Sequence, residues 1–280
     1  MQAARNGRPP VDGKEVSAMP EKTSIEVIRG GQVLARAQGD QEASLLFAGG
    51  YLPGDEIVFT SRAPRAIVQV DQLVAPARVY LPEGRFVYRP PLEGDGLAVY
   101  PPHAFAGEGH LLSIRPDEAN EYRNLAANPA VQRCGVLALP HARANVETRD
   151  ESAFAARNVI DGAHIAAGHG EWPYGSWGIG ARTDAELTLD FGRTVEIDAL
   201  ALYLRADFPH DAYWTQATVT LSDGFECTFA LQGIDGAQRV ALGSHRVRAL
   251  KLHRLIKCDM PSAFPALRQL EVYGRDIEEP

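Results

Sequence analysis

The chain is poor in the features that most quickly define a class. It has three cysteines, Cys134, Cys227 and Cys258, with no C-x-x-C pair. That odd, scattered set argues against a disulfide framework and a cysteine zinc site, and leaves reduced, buried or half-buried thiols as the expectation. No stretch approaches the roughly 18 apolar residues that span a bilayer. The opening, MQAARNGRPPVDGKEVSAMPEKT, lacks the apolar core of a secretory signal. Residues 1–20 are therefore expected to be a disordered lead, and the chain reads as cytoplasmic with no membrane partner. Lys and Arg total 28 against 36 Asp and Glu, a formal net charge of -8. That balance disfavours a nucleic-acid partner, which selects clustered basic residues. The His-Glu-x-x-His, G-x-S-x-G, P-loop and G-x-G-x-x-G signatures are also missing, so no organic cofactor is expected. Helical periodicity is scarce too. Its one instance, RPDEANEYRNLAANPA at residues 115–130, has early acidic residues and Pro129 as a stop, which predicts a connecting helix of about three turns.

What is present is ordinary globular material: 45% hydrophobic and 23% charged over 280 residues. Between Ile25 and Leu139 the runs IEVI, ASLLF, DEIVF, AIVQV, ARVYL, GRFVY, LAVY, HLLSI and VLAL have strand length and composition. LPGD, LPEG and RPPLEGDG punctuate them as turns. In the second half Leu187, Leu189 and Phe191 alternate with polar residues, the period of a half-buried strand. Gly192 and Arg193 are predicted to turn the chain. Leu200, Leu202 and Leu204 share the next inward face, and Asp223-Gly224 predicts a type I′ hairpin turn. RVRALKLHRL and ALRQLEVYG supply later strands. The pattern predicts an all-β protein of two β-sandwich domains, one over residues 21–140 and one over 141–276, with a tail at 277–280.

ARNVIDG at residues 156–162, a tryptophan in the loop that follows, AELTLDFGRTVEIDALAL, and LRQLEVYG at residues 267–274 occur in an order and spacing that resemble the discoidin or coagulation-factor type C domains. The resemblance covers about half the chain. It implies a galactose-binding-like, eight-stranded jelly roll with a ligand site on loops at one end and a structural calcium. The matching calcium positions are Asp161 and Glu271, hard oxygen ligands of the kind calcium gathers in numbers. The family's small polar residues after Asp-Gly are replaced here by Ala163, His164 and Ile165. The first half resembles no family that its residues identify.

Three clusters carry the chemistry. HGEWPYGSWGIG, residues 169–180, places His169, Glu171, Trp172 and Tyr174 on a loop between the opening segment and AELTLDF. A sugar offers an apolar C–H face rimmed by hydroxyls, so aromatic rings beside polar groups suit it. Trp177 is assigned to the core and Trp172 to the ligand. RADFPHDAYW supplies Arg205, Asp207, His210, Asp211 and Trp214, with Arg205 suited to vicinal hydroxyls or a carboxylate. The bland alternative is an Arg205 ion pair with Asp207 or Asp211. PHARANVETR, with His141 at its start, reads as a strand with a polar face that either lies at an exposed edge or lines a cleft between the domains.

The first functional expectation is recognition of a carbohydrate, a sugar or sugar acid, by His169, Glu171, Trp172, Tyr174, Arg205, His210, Asp211 and His141, with the inter-domain cleft as a further location. The alternative is a sugar-active hydrolase, lyase or isomerase whose acid and base come from Glu171, Asp207, His210 or Asp211. A third reading is a protein-interaction module that pairs with itself as a homo-oligomer through the aromatic loop.

Overall fold

The computed structural model describes residues 19–133, 138–165, 168–205 and 212–277. Among them are two hydrophobic cores, each enclosed by antiparallel strands. The first is built by β1 (Thr23–Arg29), β2 (Gln32–Gly39), β3 (Ala43–Phe47), β4 (Glu56–Thr60), β5 (Arg65–Gln69), β6 (Ala77–Tyr80), β7 (Arg85–Tyr88) and β8 (His110–Pro116). They form two four-stranded sheets, β2-β1-β4-β7 and β3-β8-β5-β6. Ile25, Val27, Ile57, Phe59, Val68 and Ile114 are wholly buried, as alternating inward positions of facing sheets should be. Beyond these come β9 (Arg123–Asn124), β10 (His141–Ala144), β11 (Trp177–Gly178), β12 (Leu187–Leu204), β13 (Trp214–Leu221), β14 (Glu226–Ala230), β15 (Gln238–Lys257) and β16 (Ala266–Asp276). These eight make one sheet in the order β11-β16-β12-β15-β13-β14, with β10 added on β12 and β9 on β16.

The second core depends on two long strands that bend. β12 pairs with β15 along its length, but the register shifts between Asp190 and Val195 and again between Ile197 and Ala199. Leu187, Leu189, Phe191, Val195, Ile197, Leu200, Leu202 and Leu204 consequently all reach one cluster. A bulge adds a residue on one strand and sharpens the local bend, which lets a single sheet wrap a core. Gly192 and Arg193 therefore do not end a strand as predicted; Gly192, at φ 71°, forms a bulge within it.

Other differences have equally local causes. No helix spans 115–130: β8 runs to Pro116 and β9 follows, because the asparagine side chains there are committed to backbone partners. Asn124 Oδ1 accepts from Val272 N and Ala126 N, and Asn128 Nδ2 donates to Ala138 O and Pro140 O. The only helical segments among the described residues are three short 3-10 turns, at 148–150, 152–154 and 156–160. LAVY, residues 97–100, lies in turns and not in a strand. Asp223-Gly224 closes the β13–β14 hairpin with positive φ at Gly224 alone, so the turn is not type I′. Cys227 and Cys258 are free thiols, half-buried and buried, while Cys134 and the first half of VLAL fall outside the described residues. Among the described residues no helix is long and apolar enough to cross a membrane.

Candidate functional site

The aromatic loop is pinned at its far end. Trp177 is wholly buried, its ring centroid 6.1 Å from that of Trp214, and its indole Nε1 donates to Val146 O at 2.9 Å. Burial of such a ring contributes on the order of 3 kcal/mol. Trp177 and Gly178 pair with Leu267 and Ala266 of β16, so the loop is tied into the sheet. A Cβ on Gly178 would lie 2.6 Å from Thr148 Oγ1, a contact only glycine permits. The Arg268 guanidinium, buried, donates to Gly175 O, and the half-buried Tyr174 ring packs on Gly168. Residues 168–175 thus stand over one end of the second core on a fixed base.

Beside this base is a recess of about 150 Å³ lined by Thr148, Arg149, Phe154, His169, Gly178, Ile179, Arg205, Ser262, Phe264, Pro265 and Ala266. The His169 ring stacks with Phe154 at 6.4 Å and 25°. The Arg149 guanidinium carbon lies 5.2 Å from the Phe154 centroid while its nitrogens hold Glu151 at 2.6 and 2.7 Å. Arg205 is buried and donates from Nη2 to Phe264 O at 2.9 Å, which shapes the turn that presents Phe264. Phe264 itself is 57% exposed. An adjoining recess of about 370 Å³ shares Arg149, Phe154 and His169 and adds the carboxylates of Asp95, Glu151 and Glu171. The pair of recesses therefore presents the exposed Phe264 ring, with Phe154 buried behind His169 and Arg149, beside guanidinium donors and carboxylate acceptors.

The expected residues separate into groups. His169 and Arg205 meet in the smaller recess, and Glu171 borders the adjoining one. Trp172, the next residue, lines a different recess between the two cores. Tyr174 fills the inside of the loop. His141 is buried with Nε2 3.0 Å from Gln132 O and lines a third recess with Arg133, Arg143, Glu147 and Arg157. Burial holds its pKa below the ordinary histidine value. Asp207, His210 and Asp211 lie outside the described residues. Phe154 and Phe264 were not anticipated. Their signal was present: SAF occurs twice, at 152–154 and 262–264, each time setting a lone ring in a short loop.

Asp161 and Glu271, the implied calcium positions, have other partners. Asp161 Oδ1 accepts from Gln269 Nε2 at 2.7 Å, Ala163 N at 2.9 Å and Arg268 Nη2 at 3.3 Å. Glu271 Oε2 accepts from Tyr273 OH at 2.8 Å, and its Oε1 lies 3.0 Å from His164 Nε2. The donors on Asp161 are N–H groups, one on a guanidinium whose charge a cation would oppose. Among the described residues no group of three or more His, Cys, Asp or Glu is arranged to hold a metal ion. This donor set does not fit calcium; the two carboxylates instead brace the start of the loop against β16.

No family model matches the chain, and no curated protein matches it. Solved structures do. Chitosan-binding module 1 from the chitosanase/glucanase of Paenibacillus sp. IK-5 is 16% identical, over 54% of this chain and 98% of that one, with a TM-score of 0.38. The family 32 CBM from C. perfringens NanJ, in complex with galactose, is 16% identical over 47% and 91%, at 0.37. The lectin domain of lectinolysin, complexed with Lewis B antigen, is 15% identical over 53% and 94%, at 0.37. These neighbours are carbohydrate-binding modules and a lectin domain.

Proposed function

We propose that the protein binds carbohydrate in the paired recesses at the end of the second core. The observation that carries this reading is the meeting of Phe154, Phe264, His169, Arg149 and Arg205 around one opening. A sugar ring laid on the exposed Phe264 buries its C–H face, and its hydroxyls accept from the guanidinium nitrogens and donate to Glu171 and Asp95. A ring adds about 0.5–1.5 kcal/mol beyond area burial, one part of the roughly 4–8 kcal/mol that millimolar to micromolar binding represents. Arg205 supports the site twice, through the recess wall and through its hold on Phe264 O. Phe264 and Arg149 are exposed, so replacing them leaves the core untouched. Titration of glycans found on an array, followed by calorimetry, is expected to show Phe264→Ala and Arg149→Ala each weakening binding about ten-fold. Unchanged affinity in both variants would move the site elsewhere.

A further inference from the structure

Trp172 faces away from that opening. Its backbone N–H donates to Ala98 O at 2.6 Å, and its ring, 39% exposed, lines a recess of about 300 Å³ between the two cores. Val74, Ala75 and Tyr100 approach from the first core, and Arg157, Asp161 and Ala163 from the second. Arg157 is buried beneath this space, with its guanidinium carbon 4.9 Å from the Tyr100 centroid. Its Nε donates to Val131 O and its Nη1 to Asn158 Oδ1, while among the described residues Nη2 has no hydrogen-bond partner. Asp161 adds an acceptor, since its three bonds all fall on Oδ1 and leave Oδ2 available.

We infer that this inter-core recess is a second ligand site, which takes a neutral, hydroxyl-rich ring, a sugar residue of a glycan. The inference rests on the carbohydrate reading above for its ligand class. The choice of a neutral ring follows from the pairing of charges: an anion drawn to Arg157 would meet Asp161, and a cation drawn to Asp161 would meet Arg157. Adjacent hydroxyls satisfy both, accepting from Nη2 and donating to Oδ2, while the ring's apolar face lies on Trp172. Val74, Ala75 and Ala163 supply apolar lining to the rest of the recess. The two sites flank one contact, the Trp172–Ala98 hydrogen bond, with Glu171 on one side of it and Trp172 on the other.

Trp177 and Trp214 are 0% and 1% exposed, so acrylamide quenching of the protein's fluorescence reads Trp172. Neutral hexoses, N-acetylhexosamines and their linear oligomers are titrated into the full chain. A binder is expected to protect Trp172 from quenching, to keep doing so in Phe264→Ala, and to stop in Ala75→Phe, which plugs the recess from its exposed rim. Trp172→Ala is expected to weaken the same ligand about ten-fold by calorimetry. A sugar that binds without altering quenching, or whose protection disappears in Phe264→Ala and persists in Ala75→Phe, overturns the second site and leaves the end-loop site standing. A panel with no binder overturns both.

Discussion

Asp276 is a single carboxylate shared by three arginines. Its Oδ1 accepts from Arg193 Nε at 2.6 Å, and its Oδ2 lies 3.0 Å from Arg123 Nη2 and 3.2 Å from Arg65 Nη1. Burial works to raise its pKa, but Arg193, Arg123 and Arg65 outweigh it and hold the group below the ordinary carboxylate value. Asp276→Asn keeps the shape and removes the charge, leaving three partly buried guanidiniums facing one another. A loss of about 3–5 kcal/mol in urea unfolding is expected. Arg36→Ala, which breaks an exposed pair with Glu26, is expected to cost about 1 kcal/mol or less. Residues of this kind are nearly invisible in a sequence, since Arg65, Arg123, Arg193 and Asp276 share no motif. The same applies to the candidate site: aromatic density singled out the loop at 169–180, and strand position singled out Arg205. Which way each loop side chain turns was not legible, because adjacent residues such as Glu171 and Trp172 part to opposite sides of one backbone contact.

At the level of elements, the alternating strands were legible because period-two burial leaves a direct trace, as in Leu187, Leu189 and Phe191. β2 was missed for the converse reason. It is an edge strand whose inward residues, Ala35 and Ala37, are small and only half-buried against the core, so QVLARAQG carries a faint stripe beside the exposed Val33 and Leu34. LAVY misled because its residues reach the first core from turns, where Val99 and Tyr100 are buried, and not through strand pairing; contacts with Arg157 and Trp172 cover the other side. The bulge in β12 hinges on Gly192, where φ is 71° and a Cβ would collide with Leu139 Cδ1. Gly192→Ala is expected to cost about 2 kcal/mol or more, read as a lowered thermal midpoint. Gly94→Ala, also at positive φ but with nothing near its added Cβ, isolates the backbone part of that cost.

For the molecule as a whole, acid acts at two points. His141 and His253 have pKa values lowered first by burial, so the fold resists their protonation. Their contribution is complete above the ordinary histidine value of 6.5 and is lost as pH falls below it through their lowered folded values. The Asp276 contribution is complete above 3.8 and is lost as pH falls through its depressed folded value. The urea midpoint is expected to decline in two stages on acidification, with the first reduced in His141→Gln and the second in Asp276→Asn. A single-stage profile unaffected by either substitution would contradict this.

The segment from β9 to Val131 ties the two cores together. Leu125 N donates to Val272 O, and Leu125, Ala126 and Val131 pack in the second core while Ala130 packs in the first. Anyone cloning the second half as a fusion cassette therefore faces a choice of start codon with structural weight. A fragment that begins at His141 arrives without three of its own core residues and with the outer edge of β16 stripped. One that begins ahead of Arg123 carries its missing wall with it and is the piece to express, label and crystallise.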